Sequence, residues 1–207
     1  MTDTLVIGND LSVKRMGFGA MRITGTGIWG PPADHDEALR VLRRAVELGV
    51  DFIDTADSYG PGVSEELIAE ALHPYPEDLV IGTKAGLTRD GPGRWRANGR
   101  PEHLRQAVDG SLSRLRVERL DLLQFHSPDP EVPLEDSLGA LVELQEEGKI
   151  RHLGISNVDE SQLDSAMAVA TIVSVQNRFN VAERGSDPIV DRCEAEGIAF
   201  LPWAPLA

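Results

Sequence analysis

The sequence predicts an α/β fold built around a parallel sheet, because short apolar segments alternate with stretches of helical period along the chain. The apolar segments are rich in Val, Ile and Leu without strict alternation, which is typical of strands covered on both faces. We predict strands at residues 17–21, 51–54, 79–84, 120–126, 152–156, 172–176 and 198–203. Helices are predicted at 35–48, 64–72, 102–115, 135–147, 159–170 and 187–196.

Residues at the boundaries of these segments support the assignment. Gly49, Gly148 and Gly197 follow predicted helices, where a left-handed C-terminal cap is expected. Ser64 precedes two glutamates, which predicts an N-cap followed by acidic residues at a helix start. Residues 4–14 predict a small β-hairpin that turns at Asn9-Asp10 before the first strand of the sheet.

Two architectures fit repeated strand–helix units: an open doubly wound sheet and a closed (β/α)8 TIM barrel. The glycines at 17–27 (GFGAMRITGTG) are not followed directly by a helix, so they do not match the dinucleotide-binding fingerprint of the open fold. We therefore predict the barrel, as a single domain over 1–207. Such a barrel needs eight strands and typically ~250 residues. Only seven strands are predicted here, so we expect the eighth strand and last helices to be absent.

Composition restricts the possible partners. Hydrophobic residues make up 41% of the 207-residue chain and charged residues 26%, which is ordinary for a globular protein. The formal charge of −14 repels phosphate backbones and anionic lipid, so we expect neither nucleic acid nor a membrane surface as partner. Cys193 is the only cysteine, which excludes an intrachain disulfide. We see no signal peptide and no apolar stretch of ~20 residues, and expect a cytoplasmic location.

Four polar residues lie where predicted strands end. Asp54 ends the strand at 51–54, Tyr59 lies in the following loop, and Lys84 and His126 end the next two strands. The C-terminal ends of barrel strands meet at one rim, so we expect these side chains to share one cavity. Lys84 has an apolar approach, and a buried ammonium needs a partner, which Asp54 on the neighbouring strand can supply.

These residue types suit acid–base chemistry on a carbonyl group. A phenol titrates near ~10, and a nearby ammonium should lower the pKa of Tyr59 and make it a better general acid. His126 can donate a hydrogen bond that orients a carbonyl oxygen for hydride attack. Taken singly, Asp54 and Lys84 also fit a structural ion pair, Tyr59 fits packing on the rim, and His126 fits a core histidine. Their shared rim favours an active site.

Five motifs carry a resemblance to a known family. They are GVDFIDTADSYG (49–60), IGTKAG (81–86), LLQFHSPD (122–129), GISN (154–157) and VQNRFN (175–180). Together they resemble the aldo-keto reductase superfamily, in order and over essentially the whole chain. The resemblance implies that Asp54, Tyr59, Lys84 and His126 form the catalytic tetrad, with Tyr59 as proton donor. It also implies that the N-terminal hairpin closes the bottom of the barrel.

The resemblance further implies a nicotinamide cofactor, NADPH, at the same rim. Contacts on the nicotinamide side would come from Gly19, Ala20, Met21 and Asp54. Hydrogen bonds to the carboxamide would come from Ser156, Asn157 and Gln176, and Trp203 would stack on the ring. The start of the pyrophosphate loop would be Ala204, Pro205 and Leu206. The segment that binds the 2′-phosphate in this family has no counterpart in this sequence. Taken alone, Ser156-Asn157 also fits a helix cap before Asp159.

Two glycine-rich loops, 22–34 and 85–101, would form the substrate walls, with Trp29 and Trp95 as candidate pocket residues. The patterns GIWGPP and GPGVSEELIAEAL are similar to the bacterial branch that contains pyridoxal reductases. The resemblance therefore predicts an NADPH-dependent reductase of a small carbonyl substrate, and we expect a monomer.

Two other functions can be compared with the reductase. An incomplete barrel would present unpaired sheet edges that invite self-association, which favours an inactive fragment or a cofactor-binding regulatory module. A metal-dependent hydrolase is disfavoured, because the five histidines (35, 73, 103, 126 and 152) show no metal-ligand spacing. We therefore expect no metal site.

Overall fold

The structure is a computed structural model that describes residues 3–206. Its strands are β1 Thr4–Ile7, β2 Leu11–Lys14, β3 Phe18–Gly19, β4 Phe52–Asp54, β5 Val80–Ala85, β6 Leu87–Arg89, β7 Trp95–Ala97, β8 Leu120–Phe125, β9 Ile150–Ser156, β10 Ile172–Gln176 and β11 Ala199–Phe200. Its α-helices are α1 His35–Glu47, α2 Val63–Leu72, α3 Pro101–Leu115, α4 Leu134–Glu146, α5 Glu160–Val169 and α6 Asp187–Glu196.

The main sheet contains seven parallel strands in the order β11-β10-β9-β8-β5-β4-β3. Neighbours in this sheet are successive strand–helix units, so the connections all advance in one direction, as in a barrel. The sheet curls into an incomplete barrel with the helices packed outside it. The α/β barrel prediction is confirmed, and all six predicted helices are present with ends within one or two residues.

The main core lies between the sheet and its helices. It combines strand residues such as Ile53, Leu123 and Ile155 with helix residues such as Leu42 and Leu141. All five are fully buried. Because the strands are covered outside by helices and inside by other side chains, apolar residues occupy consecutive positions along them. None of the helices between residues 3 and 206 is both long and apolar enough to cross a membrane.

The first and last strands of the sheet are shorter than predicted. The strand expected at 17–21 is paired only over Phe18–Gly19, since a 3-10 helix occupies Ala20–Ile23. The strand expected at 198–203 is paired only over Ala199–Phe200. Pro202 lacks a backbone N–H and cannot continue a hydrogen-bonded ladder. Periodicity identified both strands but not their ends.

The predicted helix caps are partly confirmed. Gly49, Gly148 and Gly197 have φ of 91°, 81° and 70°, in the left-handed region expected after a helix. Ser64 is not an N-cap, because α2 begins at Val63. The Ser64 hydroxyl faces inward instead, 2.8 Å from Thr55 Oγ1 and 3.2 Å from the carbonyl oxygen of Ala20.

The predicted N-terminal hairpin is confirmed. Strands β1 and β2 pair antiparallel, with Ile7 opposite Leu11 at the turn. Apolar side chains of this hairpin pack against residues of the main sheet in a second core cluster: Ile7, Leu11, Val13, Phe52, Val80, Leu122, Val173 and Ala199. The hairpin thereby covers the end of the sheet opposite to the end where Asp54 and Lys84 lie.

One element was missed in the sequence. The loop predicted at 85–101 contains a two-stranded antiparallel hairpin, β6 and β7, in which Arg89 pairs with Trp95. Gly91 and Gly93 lie in its turn. Each strand has only three residues, which is too short for an alternation of apolar and polar residues to identify it in the sequence.

Candidate active site

The four residues predicted to form the active site meet at the carboxyl end of the sheet. Asp54 ends β4, Lys84 lies one residue before the end of β5, and His126 directly follows β8. Lys84 Nζ donates to Asp54 Oδ1 at 2.7 Å and lies 3.5 Å from the Tyr59 hydroxyl oxygen. The Tyr59 ring contacts the His126 ring edge-on, with centroids 5.9 Å apart. The four side chains therefore form one cluster at this end of the sheet.

The Lys84 ammonium is fully buried, with no solvent-exposed area. Burial opposes its charge, but the charge on Asp54 and the nearby Tyr59 oxygen outweigh this and raise the pKa of Lys84 above its ordinary value. The carbonyl oxygen of Thr55 accepts a further hydrogen bond from Nζ at 2.8 Å. Lys84 is therefore a fixed positive charge next to the phenol at neutral pH.

The effect on Tyr59 differs from the sequence-based expectation. Burial raises the pKa of the Tyr59 phenol above its usual range, while the Lys84 ammonium lowers it and the Asp54 carboxylate raises it again. The net direction is upward, so the expected lowering of the pKa is wrong for this arrangement. Desolvation of the phenolate is larger than its attraction to Lys84, and Tyr59 stays protonated across the neutral range.

His126 is held in a neutral form. Burial and the Lys84 charge together place the pKa of His126 well below its ordinary value. Its Nδ1 lies 3.4 Å from the Ser58 hydroxyl, a group next to Tyr59 in the chain. A neutral imidazole carries one N–H, and a hydroxyl that donates to Nδ1 leaves that proton on Nε2. Nε2 forms no hydrogen bond with the residues between 3 and 206.

Asp54 receives donors from three strands. In addition to Lys84, Gln176 Nε2 donates to Asp54 Oδ1 at 3.0 Å and Gln124 Nε2 lies 3.5 Å from the same oxygen. Gln124 is fully buried on β8 and was not identified in the sequence. The three donors fix the Asp54 side chain beside Lys84.

Ser156, Asn157 and Gln176 lie together at the ends of β9 and β10. The Ser156 hydroxyl donates to the carbonyl oxygen of Gln176 at 2.7 Å, and Asn157 Nδ2 donates to the carbonyl oxygen of His126 at 2.9 Å. The alternative of a helix cap is wrong for Ser156-Asn157. Asp159 is the N-cap of α5 and forms a capping box with Gln162. The side chains of Ser156 and Asn157 are therefore free of a capping role and lie at the rim with Gln176.

The remaining predicted cofactor residues lie on both sides of this cluster. Trp203 is 38% exposed, and its indole Nε1 donates to Asn157 Oδ1 at 3.0 Å. Ala204 accepts a hydrogen bond from Asn180 Nδ2 at 2.9 Å, and the next two positions are exposed residues, Pro205 and Leu206. The contacts expected from strand 1 are Gly19, which ends β3 opposite Asp54, and Ala20 and Met21 in the 3-10 helix.

Aromatic side chains form one wall of the site. The Trp95 ring lies edge-on to both Tyr59 and His126, with centroid distances of 6.2 Å and 6.3 Å. Trp29 lies in the adjacent loop, where its backbone pairs with Gly60, directly after Tyr59. Both tryptophans proposed for the pocket therefore border the loop that carries Tyr59, and Trp95 contacts the tetrad directly.

Two acidic residues behind the Tyr59 loop, the buried Glu65 and the partly buried Asp57, were also missed in the sequence. Glu65 on α2 is fully buried, where it accepts from Thr83 Oγ1 at 2.5 Å and Arg114 Nε at 2.7 Å. Asp57 Oδ1 is enclosed without a hydrogen-bond partner among residues 3–206. Burial, reinforced by the Glu65 charge, raises the pKa of Asp57 to about 8.

Asp57 predicts a measurable pH dependence of stability. Its pKa is about 8 in the folded protein against 3.8 for an ordinary aspartate, so the folded state binds more protons and unfolding becomes easier as pH rises from 4 to 8. The Asp57→Asn variant lacks this titration, and its gain in Tm over wild type should grow from pH 5 to pH 8. Circular dichroism melts measure this, with exposed Asp90→Asn as control. A constant Tm difference would contradict the assignment.

No group of three or more His, Cys, Asp or Glu side chains in the described part of the chain is arranged to hold a metal ion.

The profile of the Aldo/keto reductase family matches residues 15–207. The chain belongs to the aldo/keto reductase family. An uncharacterised oxidoreductase of Schizosaccharomyces pombe is 48% identical over 204 residues, which are 99% of this chain and 66% of that protein. Pyridoxine 4-dehydrogenase of Escherichia coli is 41% identical over 212 residues, covering 99% of this chain and 73% of that protein.

Solved structures of the family share the fold. Glycerol dehydrogenase from Gluconobacter oxydans superposes with a TM-score of 0.89 at 36% identity, covering 98% of this aldo/keto reductase chain and 63% of that chain. An aldo-keto reductase from Bacillus halodurans gives a TM-score of 0.85 at 28% identity, over 99% and 66% of the two chains. This chain thus spans about two thirds of the length of these relatives.

Proposed function

We propose that the protein reduces an aldehyde or ketone to an alcohol with NADPH, with Tyr59 as the proton donor. Membership in the aldo/keto reductase family supports an oxidoreductase acting on carbonyl compounds. The observation that carries the proposal is the buried charge on Lys84, 2.7 Å from Asp54 and 3.5 Å from the Tyr59 hydroxyl. A scaffold without catalytic demands gains little from a desolvated ammonium beside a phenol.

Each residue of the tetrad has a role in this proposed reaction. The substrate carbonyl oxygen lies between the Tyr59 hydroxyl and His126 Nε2, which both donate hydrogen bonds to it. As the carbonyl carbon is reduced, negative charge develops on that oxygen, and Tyr59 transfers its proton there. Lys84 stabilises the resulting phenolate, which lowers the barrier to proton transfer although the resting phenol is hard to ionise. Asp54 keeps Lys84 charged and in place.

The nicotinamide half of the cofactor fits the residues at the rim. Space is open in front of Gly19, where a Cβ would meet no atom within 4 Å. Trp203 offers a partly exposed aromatic face, and the Asn157 and Gln176 amides offer donors and acceptors for a carboxamide. NADPH bound there supplies the hydride. The choice of NADPH over NADH comes from the family resemblance alone.

The proposed substrate class is a planar aromatic aldehyde such as pyridoxal. Trp95, Tyr59 and His126 place aromatic edges around one space, which favours a flat ring over a bulky aliphatic group. The relative from Escherichia coli is named for its action on pyridoxine, the corresponding alcohol. A cytoplasmic location, a single domain and a monomeric state belong to the same proposal.

Loss of NADPH absorbance with a panel of carbonyl compounds tests this function. We expect turnover with aldehydes and a higher kcat/KM for pyridoxal than for aliphatic aldehydes of similar size. Equal kcat/KM values across the panel would contradict pyridoxal as the preferred substrate but would not contradict the proposed reductase activity. Absence of turnover with every compound, although NADPH fluorescence shows binding, would contradict the reductase.

That last outcome would instead support a cofactor-binding regulatory module. The intact arrangement of the tetrad favours the enzyme.

A further inference from the structure

Arg89, the last residue of β6, has every side-chain donor engaged by the backbone. Its guanidinium carries five N–H groups in a rigid planar fork. Nε donates to the carbonyl oxygen of Arg94 at 3.1 Å. Nη1 donates to the carbonyl oxygens of Ile28 at 2.9 Å and Ser58 at 3.4 Å. Nη2 donates to the carbonyl oxygens of Gly27 at 2.9 Å and Gly91 at 3.3 Å.

These carbonyl groups belong to three segments that surround the candidate active site. Gly27 and Ile28 lie in the loop after β3, Ser58 precedes Tyr59, and the others lie in the turn of the β6–β7 hairpin. The hairpin and the two loops are separate in the chain, and Arg89 binds all three at once. With all donors occupied, its guanidinium has none left for an anionic substrate.

The same guanidinium stacks on the aromatic wall of the site. Arg89 Cζ lies 3.6 Å from the centroid of the Trp95 ring and 5.8 Å from that of Trp29. A guanidinium over an indole face is an attractive contact. The Trp95 ring meanwhile forms T-shaped contacts with the rings of Tyr59 and His126. Arg89 and the tetrad therefore hold Trp95 from two sides.

We propose that Arg89 is a positioning residue that sets substrate selectivity by holding Trp95 against Tyr59 and His126. Arg89 does not touch the substrate. It fixes the width of the aromatic pocket through its contact with Trp95. This inference rests on the proposed reductase function, and it assigns to that site the residue that determines how tightly a flat substrate is gripped.

Steady-state kinetics of Arg89→Lys tests the proposal. Lysine keeps the charge but lacks the planar fork, so it cannot join five carbonyl groups or stack on the indole. We expect KM for an aromatic aldehyde to rise about fivefold, the size of one lost stacking contact, with kcat little changed. KM for a small aliphatic aldehyde should stay constant. The matched control is Arg96→Lys on the same hairpin, whose side chain is 77% exposed.

A double-mutant cycle with Trp95→Leu shows whether Arg89 acts through Trp95. Trp95→Leu alone should raise KM for the aromatic aldehyde at least as much, and Arg89→Lys should add nothing further in that background. Additive effects, an unchanged KM in Arg89→Lys, or an equal rise in Arg96→Lys would overturn the proposal. Should Arg89→Lys fail to fold, an unchanged KM in Trp95→Leu would overturn it as well.

Fluorescence separates failure of this inference from failure of the proposed function. The chain has three tryptophans, so replacing Trp29 and Trp203 by Phe leaves Trp95 as the sole indole emitter. In that background, Arg89→Lys should increase quenching of Trp95 by acrylamide, whereas Arg96→Lys should not. This measurement needs no turnover. Unchanged quenching in Arg89→Lys would overturn the positioning role even in a protein that reduces every aldehyde tested.

Discussion

Replacing Tyr59 by Phe is expected to reduce kcat for aldehyde reduction by ~10²–10⁴, the usual contribution of a general acid. The substitution removes one oxygen and leaves the ring in contact with Trp95 and His126. The lost hydroxyl is buried, and its one hydrogen-bond partner in the described structure is Lys84, at 3.5 Å. The fold should therefore tolerate its removal. Stopped-flow or steady-state measurement of NADPH oxidation gives the rate.

The chain supplies a matched control, because it contains only one other tyrosine. Tyr75 donates to the carbonyl oxygen of Leu115 at 2.7 Å, between β5 and α3 and away from the tetrad. Tyr75→Phe should cost about 1 kcal/mol of stability from the lost hydrogen bond and leave kcat unchanged. NADPH affinity, measured by fluorescence titration, should be the same in both variants. A Tyr59→Phe protein with wild-type kcat would remove Tyr59 from the mechanism.

The sequence allowed the architecture to be predicted because the barrel is built from repeated units. Each of the seven strands and six helices carries its own apolar pattern, so errors in one unit do not affect the others. The errors occurred where tertiary contacts decide the local structure. Ser64 has the chemistry of an N-cap, yet contacts with Thr55 and Ala20 direct it into the core.

The candidate tetrad could be proposed from the sequence because it combines strand ends, which topology brings to one rim, with residue types of distinct chemistry. The residues that support the tetrad could not be predicted from the sequence. Gln124, Glu65 and Arg89 are isolated polar residues whose partners are distant in the chain. No spacing rule connects them. A glutamate in the first turn of a helix predicts an exposed cap residue, and only the packed structure shows Glu65 to be buried.

The pKa of Tyr59 illustrates a second limit. The sign of a pairwise effect could be predicted, since an ammonium lowers the pKa of a phenol. The net direction depends on how much water the fold removes from the phenol, which the sequence does not state. Burial is the larger effect here and raises the pKa. Tyr59 therefore stays protonated at neutral pH, as its proposed role of proton donor requires.

Replacing Arg114 by Met is expected to lower the stability of the fold strongly. Glu65 has no exposed side-chain area, and Arg114 Nε donates to it at 2.7 Å. Methionine keeps the aliphatic stem that packs near Gly62 but leaves the buried carboxylate without its counter-charge. Removing one partner of a buried pair costs about 3 kcal/mol. For a chain of this size, that corresponds to a fall in Tm of about 6–12 °C.

Two further variants separate the charge from the packing. Arg40→Met breaks the exposed ion pair with Glu37 and should leave Tm almost unchanged, because solvent screens that pair. Glu65→Gln combined with Arg114→Met removes the uncompensated charge, and an amide can still pair with the hydroxyl of Thr83, 2.5 Å from Glu65 Oε1. The double variant should therefore melt at a higher temperature than Arg114→Met alone. A double variant that melts lower would mean that Arg114 stabilises the fold through its packing, and that the Tyr59 loop does not depend on this buried ion pair.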